Sequence, residues 1–99
     1  MKFGFFGKFV ALEGKQKDLK NILLEVAEIL KTNKDCFHYV VSEGKDPDEV
    51  YVWELWTDEE SHQNSLLPKE INDLIDKTLP LIESMSKAAR LKVLGGKGA

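Results

Sequence analysis

Two strand-like runs joined by a short turn constrain the fold of this chain most. The runs Cys36–Val41 and Val50–Trp56 are rich in aromatic and β-branched residues, which is typical of strands. The connection between them, Ser42-Glu-Gly-Lys-Asp-Pro-Asp48, consists of residues that favour turns. A β-hairpin is therefore predicted at the centre of the chain.

Strand and helix patterns flank this hairpin. Residues 2–12 alternate in character and predict a first strand, whereas apolar residues between 15 and 32 recur at helical spacing. After the hairpin, Thr57-Asp-Glu-Glu60 has the sequence of a capping box, so a second helical region is predicted to start at Thr57 or Asp58. Pro68 interrupts this region, and Pro80 is expected to end or bend it because proline lacks an amide donor.

Residues 88–94 alternate again and predict a fourth strand. The resulting order, βαββαβ, is the ferredoxin-like pattern. We therefore expect an α+β fold with a four-stranded antiparallel sheet and both helices on one face. Residues 1–94 are expected to form this single domain, and the glycine-rich residues 95–99 a flexible C-terminal tail.

Both faces of the hairpin are apolar. In its first strand Phe37, Tyr39 and Val41 alternate with Cys36, His38 and Val40, and in its second Tyr51, Trp53 and Leu55 alternate with Val50, Val52, Glu54 and Trp56. Two helices can cover only one face of the sheet, so the other face requires a different cover. We predict that a second copy of the chain supplies it, in a homodimer packed sheet against sheet.

Composition and charge exclude several classes of protein. The net charge is −3 and no basic run occurs, which argues against a nucleic-acid partner. The apolar stretches are too short to span a bilayer, so no membrane association is expected, and a cytoplasmic location follows by default. His38 and His62 are isolated and lack zinc-ligand spacing, so no metal site is predicted. Cys36 is the single cysteine and is expected to be a small buried strand residue.

The chain resembles the antibiotic biosynthesis monooxygenase family, which includes quinol monooxygenase-like proteins. The resemblance rests on Glu13-Gly-Lys15, Cys36-x-x-Tyr39, Glu54-Leu-Trp-Thr-Asp-Glu-Glu-Ser-His62, Ser65-Leu66 and Leu79-Pro-Leu-Ile82. It implies a dimeric α+β barrel with a cavity between sheet and helices. It also implies oxygen chemistry on a small aromatic, quinol- or anthrone-like substrate with no cofactor, neither metal nor flavin.

The sequence also departs from parts of the family. Many members carry a histidine where this chain has Ser65, so a catalytic histidine role does not transfer automatically to His62. Haem-degrading relatives have an asparagine in the first strand, and a tryptophan and a histidine about ten residues apart. The first strand here has no asparagine, and Leu66 follows Trp56 at that spacing, which disfavours haem degradation.

Oxygenation without a cofactor requires a base, because O2 reacts slowly with closed-shell molecules until the substrate becomes an electron-rich anion. His62 and Glu54 are the candidate catalytic residues: His62 as base, and Glu54 as a second base or as the group that orients His62. The candidate substrate-binding residues are Tyr39, Trp56, Trp53, Phe6 and Ser65.

Simpler interpretations stand beside these roles. His62 could be a surface residue in the first helical turn, and Glu54 could pair with a cation across the dimer. Trp53 and Trp56 point to opposite faces, so at most one is expected to line the pocket, and Tyr39 could be core. Two other functions stay open: an isomerase or lyase acting on a small carbonyl compound, and a non-catalytic protein that binds a small molecule.

Overall fold

The structure of the protein, a computed structural model, describes residues 1–86 and 88–99. Its elements in chain order are β1 (Phe3–Ala11), α1 (Gln16–Leu30), β2 (Cys36–Glu43), β3 (Glu49–Trp56), α2 (Glu59–Asn64), α3 (Lys69–Thr78), a 3₁₀ turn (Leu79–Leu81), β4 (Ile82–Met85) and β5 (Ala89–Lys92). None of the helices in these residues is long and apolar enough to cross a membrane.

The sheet has the strand order β2-β3-β1-β4, and β5 also pairs with β1. All four pairings are antiparallel. β1 and β3 form the centre, and β4 and β5 follow one another along the outer edge of β1. The α+β, ferredoxin-like fold predicted from the sequence is confirmed.

The helices cover one face of this sheet through the apolar stripe that their sequences predict. α1 buries Leu19, Leu23, Val26 and Leu30, and α3 buries Ile71 and Leu74. These side chains pack against the residues of the strands that point the same way, including Phe3, Val52 and Trp56. The alternation of β3 is confirmed, because Val50, Val52, Glu54 and Trp56 all lie on this helix-covered face.

The opposite face, which we call the open face, has no helix on it in the described residues. It carries several half-exposed apolar side chains, namely Phe6, Phe37, Val40 and Leu91, together with Tyr51 and Trp53. Part of the C-terminal segment reaches this face, where the carbonyl oxygen of Gly98 lies 3.3 Å from Nε2 of His38.

Three local predictions differ from the structure. In β2 a bulge between Cys36 and His38 shifts the register, so Cys36 packs with Tyr39 under the helices and Phe37 turns to the open face, where Lys2 lies over its ring. An extra residue in one strand reverses the alternation on one side of the bulge. Cys36 is accordingly half-buried and free.

The second difference is the start of α2. Asp58, rather than Thr57 of the predicted capping box, is the N-cap residue: its Oδ1 accepts a hydrogen bond from the Ser61 amide at 2.8 Å. Thr57 instead donates its hydroxyl to Asp35. The cap thus lies one position later than in the capping box and satisfies the amide of Ser61 instead of that of Glu60, so the helix begins at Glu59.

The third difference is the edge strand. The sequence predicts one last strand at 88–94, whereas the structure has β4 as well, which pairs with the second half of β1. β5 pairs with the first half of β1, within the predicted segment. The 3₁₀ turn at Leu79–Leu81 follows α3 directly, as expected from Pro80.

Candidate active site

A cavity of about 350 Å³ lies between the helix-covered face of the sheet and the helices. Its walls are mainly apolar and include Phe5, Phe9, Val26, Leu30, Ile71 and Ile75. Polar groups enter it at a few points only, from Tyr39, Glu54, His62, Ser65, Thr78 and Arg90. A concave, apolar site of this size with few polar groups is typical of a small-molecule site.

One row of residues across the sheet forms the floor of this cavity. Strand register places Tyr39 opposite Glu54, Glu54 opposite Phe5, and Phe5 opposite Arg90. Adjacent strands lie about 4.8 Å apart, so the backbones of Glu54 and Arg90 are separated by roughly 10 Å. The row therefore runs from a buried acid, across an aromatic ring, to a cation at the edge.

Glu54 is a buried carboxyl group with one protein hydrogen bond among the described residues. It is 7% exposed, and its Oε1 accepts from Nε1 of Trp56 at 3.0 Å. Burial raises the pKa of Glu54 to about 7, against the opposing effect of the Trp56 hydrogen bond. Both the protonated and the ionised forms are therefore populated near neutral pH.

His62 faces this acid from α2. It is 7% exposed, and its Nε2 lies 3.6 Å from Oε1 of Glu54, just beyond hydrogen-bond distance. Its ring stacks on Phe5 with centroids 4.7 Å apart. Burial, and secondly the charge of Arg90, lower the pKa of His62. The imidazole is thus neutral at neutral pH and able to accept a proton.

The other ring nitrogen of His62 is unusual. Nδ1 is buried and has no hydrogen-bond partner among the described residues. Buried polar groups without a partner are rare in folded proteins and each one calls for an explanation. A ligand group or a water molecule in the cavity would satisfy this nitrogen.

Two hydroxyl groups complete the polar lining. Burial, and secondly the charge of Glu54, raise the pKa of Tyr39, so its hydroxyl stays protonated and can donate a hydrogen bond. Ser65 lines the cavity as expected, but its hydroxyl donates to the backbone oxygen of His62 within α2. The Ser65 hydroxyl therefore stabilises the backbone next to His62 and is not free to donate to a ligand.

The structure brings four of the seven predicted site residues to the cavity, namely His62, Glu54, Tyr39 and Ser65. Trp56 lies just behind them, fully buried in the core, where it hydrogen-bonds to Glu54 and packs in a T-shaped arrangement with the His62 ring. It supports the acid rather than facing the cavity.

Phe6 and Trp53 lie elsewhere. They are paired across β1 and β3 on the open face, so the sheet separates them from the cavity of the same chain. Successive side chains of a strand point to opposite faces, and Phe5 takes the place expected for Phe6.

Several lining residues were not predicted from the sequence, among them Phe5, Arg90 and Met85. The alternation of the last strand separates Arg90 from Leu91, but only the pairing with Phe5 places Arg90 at the cavity. Met85 belongs to β4, which was not predicted. Within residues 1–86 and 88–99, no three His, Cys, Asp or Glu side chains converge as metal ligands would.

Comparison with known proteins identifies the family. Residues 6–70 match the antibiotic biosynthesis monooxygenase family, and this chain belongs to it. A similar solved structure is that of an antibiotic biosynthesis monooxygenase candidate from Chloroflexus aurantiacus J-10-fl. It is 33% identical, with a TM-score of 0.87 over 97% of this chain and 96% of the other.

More distant structures share the fold. A candidate of the same name from Deinococcus radiodurans is 19% identical, with a TM-score of 0.83 over 97% of this chain and 95% of that one. A Mycobacterium tuberculosis protein is 12% identical, with a TM-score of 0.87 over 97% and 98% of the two chains. No protein with a curated description matches this sequence.

Proposed function

We propose that this protein is a cofactor-independent monooxygenase that oxidises a small aromatic, quinol- or anthrone-like substrate with O2. One oxygen atom enters the substrate, and the other leaves as water together with the two hydrogens that the substrate loses. The substrate itself supplies the electrons, so the protein needs only to bind it, remove a proton and exclude bulk water.

The observation that carries this proposal is the pair Glu54 and His62. Both are nearly buried, their closest oxygen and nitrogen atoms are 3.6 Å apart, and both line one apolar cavity. The pKa of Glu54 is raised to about 7, so its ionised form can accept a proton near neutral pH, and the lowered pKa of His62 keeps the imidazole unprotonated beside it. A general base acts best when its pKa lies near the working pH.

The remaining lining suits an aromatic anion. Phe5 and the hydrophobic side chains of α1 and α3 provide flat apolar walls. The protonated hydroxyl of Tyr39 lies in the same row as Glu54, so it can donate a hydrogen bond to the oxygen that becomes negative after proton removal.

We propose further that the protein acts as a homodimer packed through the open face. The half-exposed side chains of Phe6, Phe37 and Val40, with Trp53 beside them, form an apolar surface that the helices leave uncovered. A second copy would cover this surface with the same residues, as an isologous interface does.

Oxygen consumption by protein treated with a chelator tests the reaction. We expect uptake with anthrones or quinols that falls by about 100-fold or more in His62→Ala or Glu54→Gln, the usual contribution of a positioned base. Gln63→Ala, which changes an exposed neighbour of His62 on α2, is the matched control and should retain the wild-type rate.

Three results would count against the proposal. Equal oxygen uptake by the wild type, His62→Ala and Glu54→Gln would show that neither Glu54 nor His62 accepts the proton. Substrate turnover that continues unchanged without O2 would indicate an isomerase or lyase instead. Binding of these compounds with no turnover would indicate a binding protein.

A further inference from the structure

Arg90 is the one cationic side chain in the cavity lining among the described residues. It belongs to β5 and lies at the edge of the cavity, half-exposed. Its guanidinium carbon is 5.7 Å from the centroid of the Phe5 ring, and Phe5 in turn stacks on His62. Along one wall of the cavity, a cation, an aromatic ring and the pair Glu54 and His62 therefore follow one another.

The geometry points to Arg90 as the anchor for a carboxylate at the end of the substrate opposite the group that is oxidised. This inference rests on the proposed function and adds a substrate class to it: fused-ring aromatic hydroxy acids rather than neutral quinols. The separation of roughly 10 Å between the backbones of Glu54 and Arg90 suits a flat bicyclic or tricyclic ring lying along the row.

A ligand carboxylate can replace the carboxylate that forms the present ion pair with Arg90. Nη1 of Arg90 lies 2.8 Å from Oε2 of Glu59, and both side chains are about half exposed. Exposed ion pairs of this kind contribute little, so exchanging one carboxylate for another costs little. A ligand carboxylate that is partly shielded by the cavity wall would make the stronger pair, and guanidinium can hold it by two parallel hydrogen bonds.

The Glu54 end of the cavity does not favour a substrate group that is already charged as a carboxylate. Glu54 would repel a carboxylate, and the aliphatic walls offer no donor to one. The carboxylate of an aromatic acid is therefore directed to the Arg90 end, which leaves its hydroxyl end facing Glu54, His62 and Tyr39. The cation thus fixes the orientation of the ring as well as its affinity.

Binding of a matched pair of probes tests this inference independently of catalysis. The probes are a hydroxynaphthoate and its carboxamide, which have the same rings and differ in charge; affinity is read from naphthol fluorescence. We expect Arg90→Gln to weaken binding of the carboxylate by about tenfold or more, the usual size of a charge-assisted hydrogen bond, and to change binding of the carboxamide by less than about twofold.

Two further variants serve as controls. Lys92→Gln removes the same charge two residues along β5, from a side chain outside the cavity lining, and should leave both affinities unchanged. Glu59→Gln removes the competing carboxylate and should tighten binding of the hydroxynaphthoate only.

Equal loss of both probes in Arg90→Gln, or no loss of either, would overturn the inference. So would binding of the carboxamide alone, which would leave the proposed oxygenase intact. Selective loss of the carboxylate probe without oxygen uptake would support the anchor and contradict the oxygenase. Failure of both probes to bind the wild type would overturn the anchor, while oxygen uptake with quinols and anthrones would still decide the oxygenase.

Discussion

Nε1 of Trp56 donates a hydrogen bond to Oε1 of Glu54 at 3.0 Å, between side chains two residues apart on the same face of β3. The pair joins the core to the cavity, because Trp56 is fully buried whereas Glu54 lines the cavity. One carboxylate oxygen is thereby held in place. The second oxygen, Oε2, stays available to a ligand, whereas Nε2 of His62 lies 3.6 Å from Oε1.

The raised pKa of Glu54 makes stability depend on pH. Its ordinary pKa is 4.5 and burial raises it to about 7, so the folded protein retains a proton that the unfolded chain releases. This contribution is complete below pH 4.5, declines as the pH rises, and is lost above about 7. Its size is at most about 3 kcal/mol.

Glu54→Gln removes this titration and retains an acceptor for Trp56. We expect the free energy of unfolding of Glu54→Gln, relative to the wild type, to increase between pH 4.5 and 8, as measured by urea denaturation. His62 titrates in both proteins, so its contribution largely cancels in the difference between their free energies of unfolding. Glu13→Gln, at an exposed turn, should show no such trend; a parallel trend in both variants would contradict the assignment.

Trp56→Phe should raise the pKa of Glu54 further, because the lost hydrogen bond favours the ionised carboxyl group. A 13C NMR titration of the glutamate carboxyl groups measures this directly. The smaller ring also leaves space in the core, so we expect a loss of roughly 2 kcal/mol in stability. A pKa that stays at the wild-type value would mean that the hydrogen bond from Trp56 does not lower the pKa of Glu54.

The fold was predictable because periodicity separates helices from strands and fixes which residues share a face. The side chains of β3 divide as their alternation predicts, with Glu54 and Trp56 together under the helices. β4 was missed because it is only four residues long, two of them polar, and its pairing with β1 depends on residues far apart in the sequence.

The site was only partly predictable for a related reason. Alternation establishes that Phe5 and Phe6 face opposite sides, but the register with β3 decides which one joins Glu54. Arg90 reaches the cavity through its pairing with Phe5, which no local pattern reveals. Similarly, the bulge in β2 that moves Cys36 to the helix-covered face has no distinct sequence signal.

The N-cap of α2 can be tested by two adjacent substitutions. Asp58→Ala removes the acceptor for the Ser61 amide and should cost about 1 kcal/mol of stability. Thr57→Ala removes only an exposed hydrogen bond to Asp35 and should cost less. Thermal or urea denaturation of both variants measures these losses. A larger loss of stability in Thr57→Ala would indicate that Thr57 is the N-cap residue, as the capping box predicts.

The proposed homodimer predicts that a charge on the open face separates the two copies. Val40 lies on this face in β2 and is 47% exposed, so a single copy should tolerate glutamate there. In the dimer, Val40→Glu would bury two like charges, and we expect the dissociation constant to rise by at least about 100-fold. Light scattering at micromolar concentration should then detect a monomer with unchanged circular dichroism.

Leu24→Glu provides the matched control for this experiment. Leu24 is 52% exposed on α1, on the other side of the molecule, so the same change of an apolar side chain to an acid should leave the dimer intact. A wild type that is already monomeric would refute the dimer. So would a Val40→Glu variant that associates as tightly as Leu24→Glu, because a charge buried in the proposed interface would destabilise the dimer.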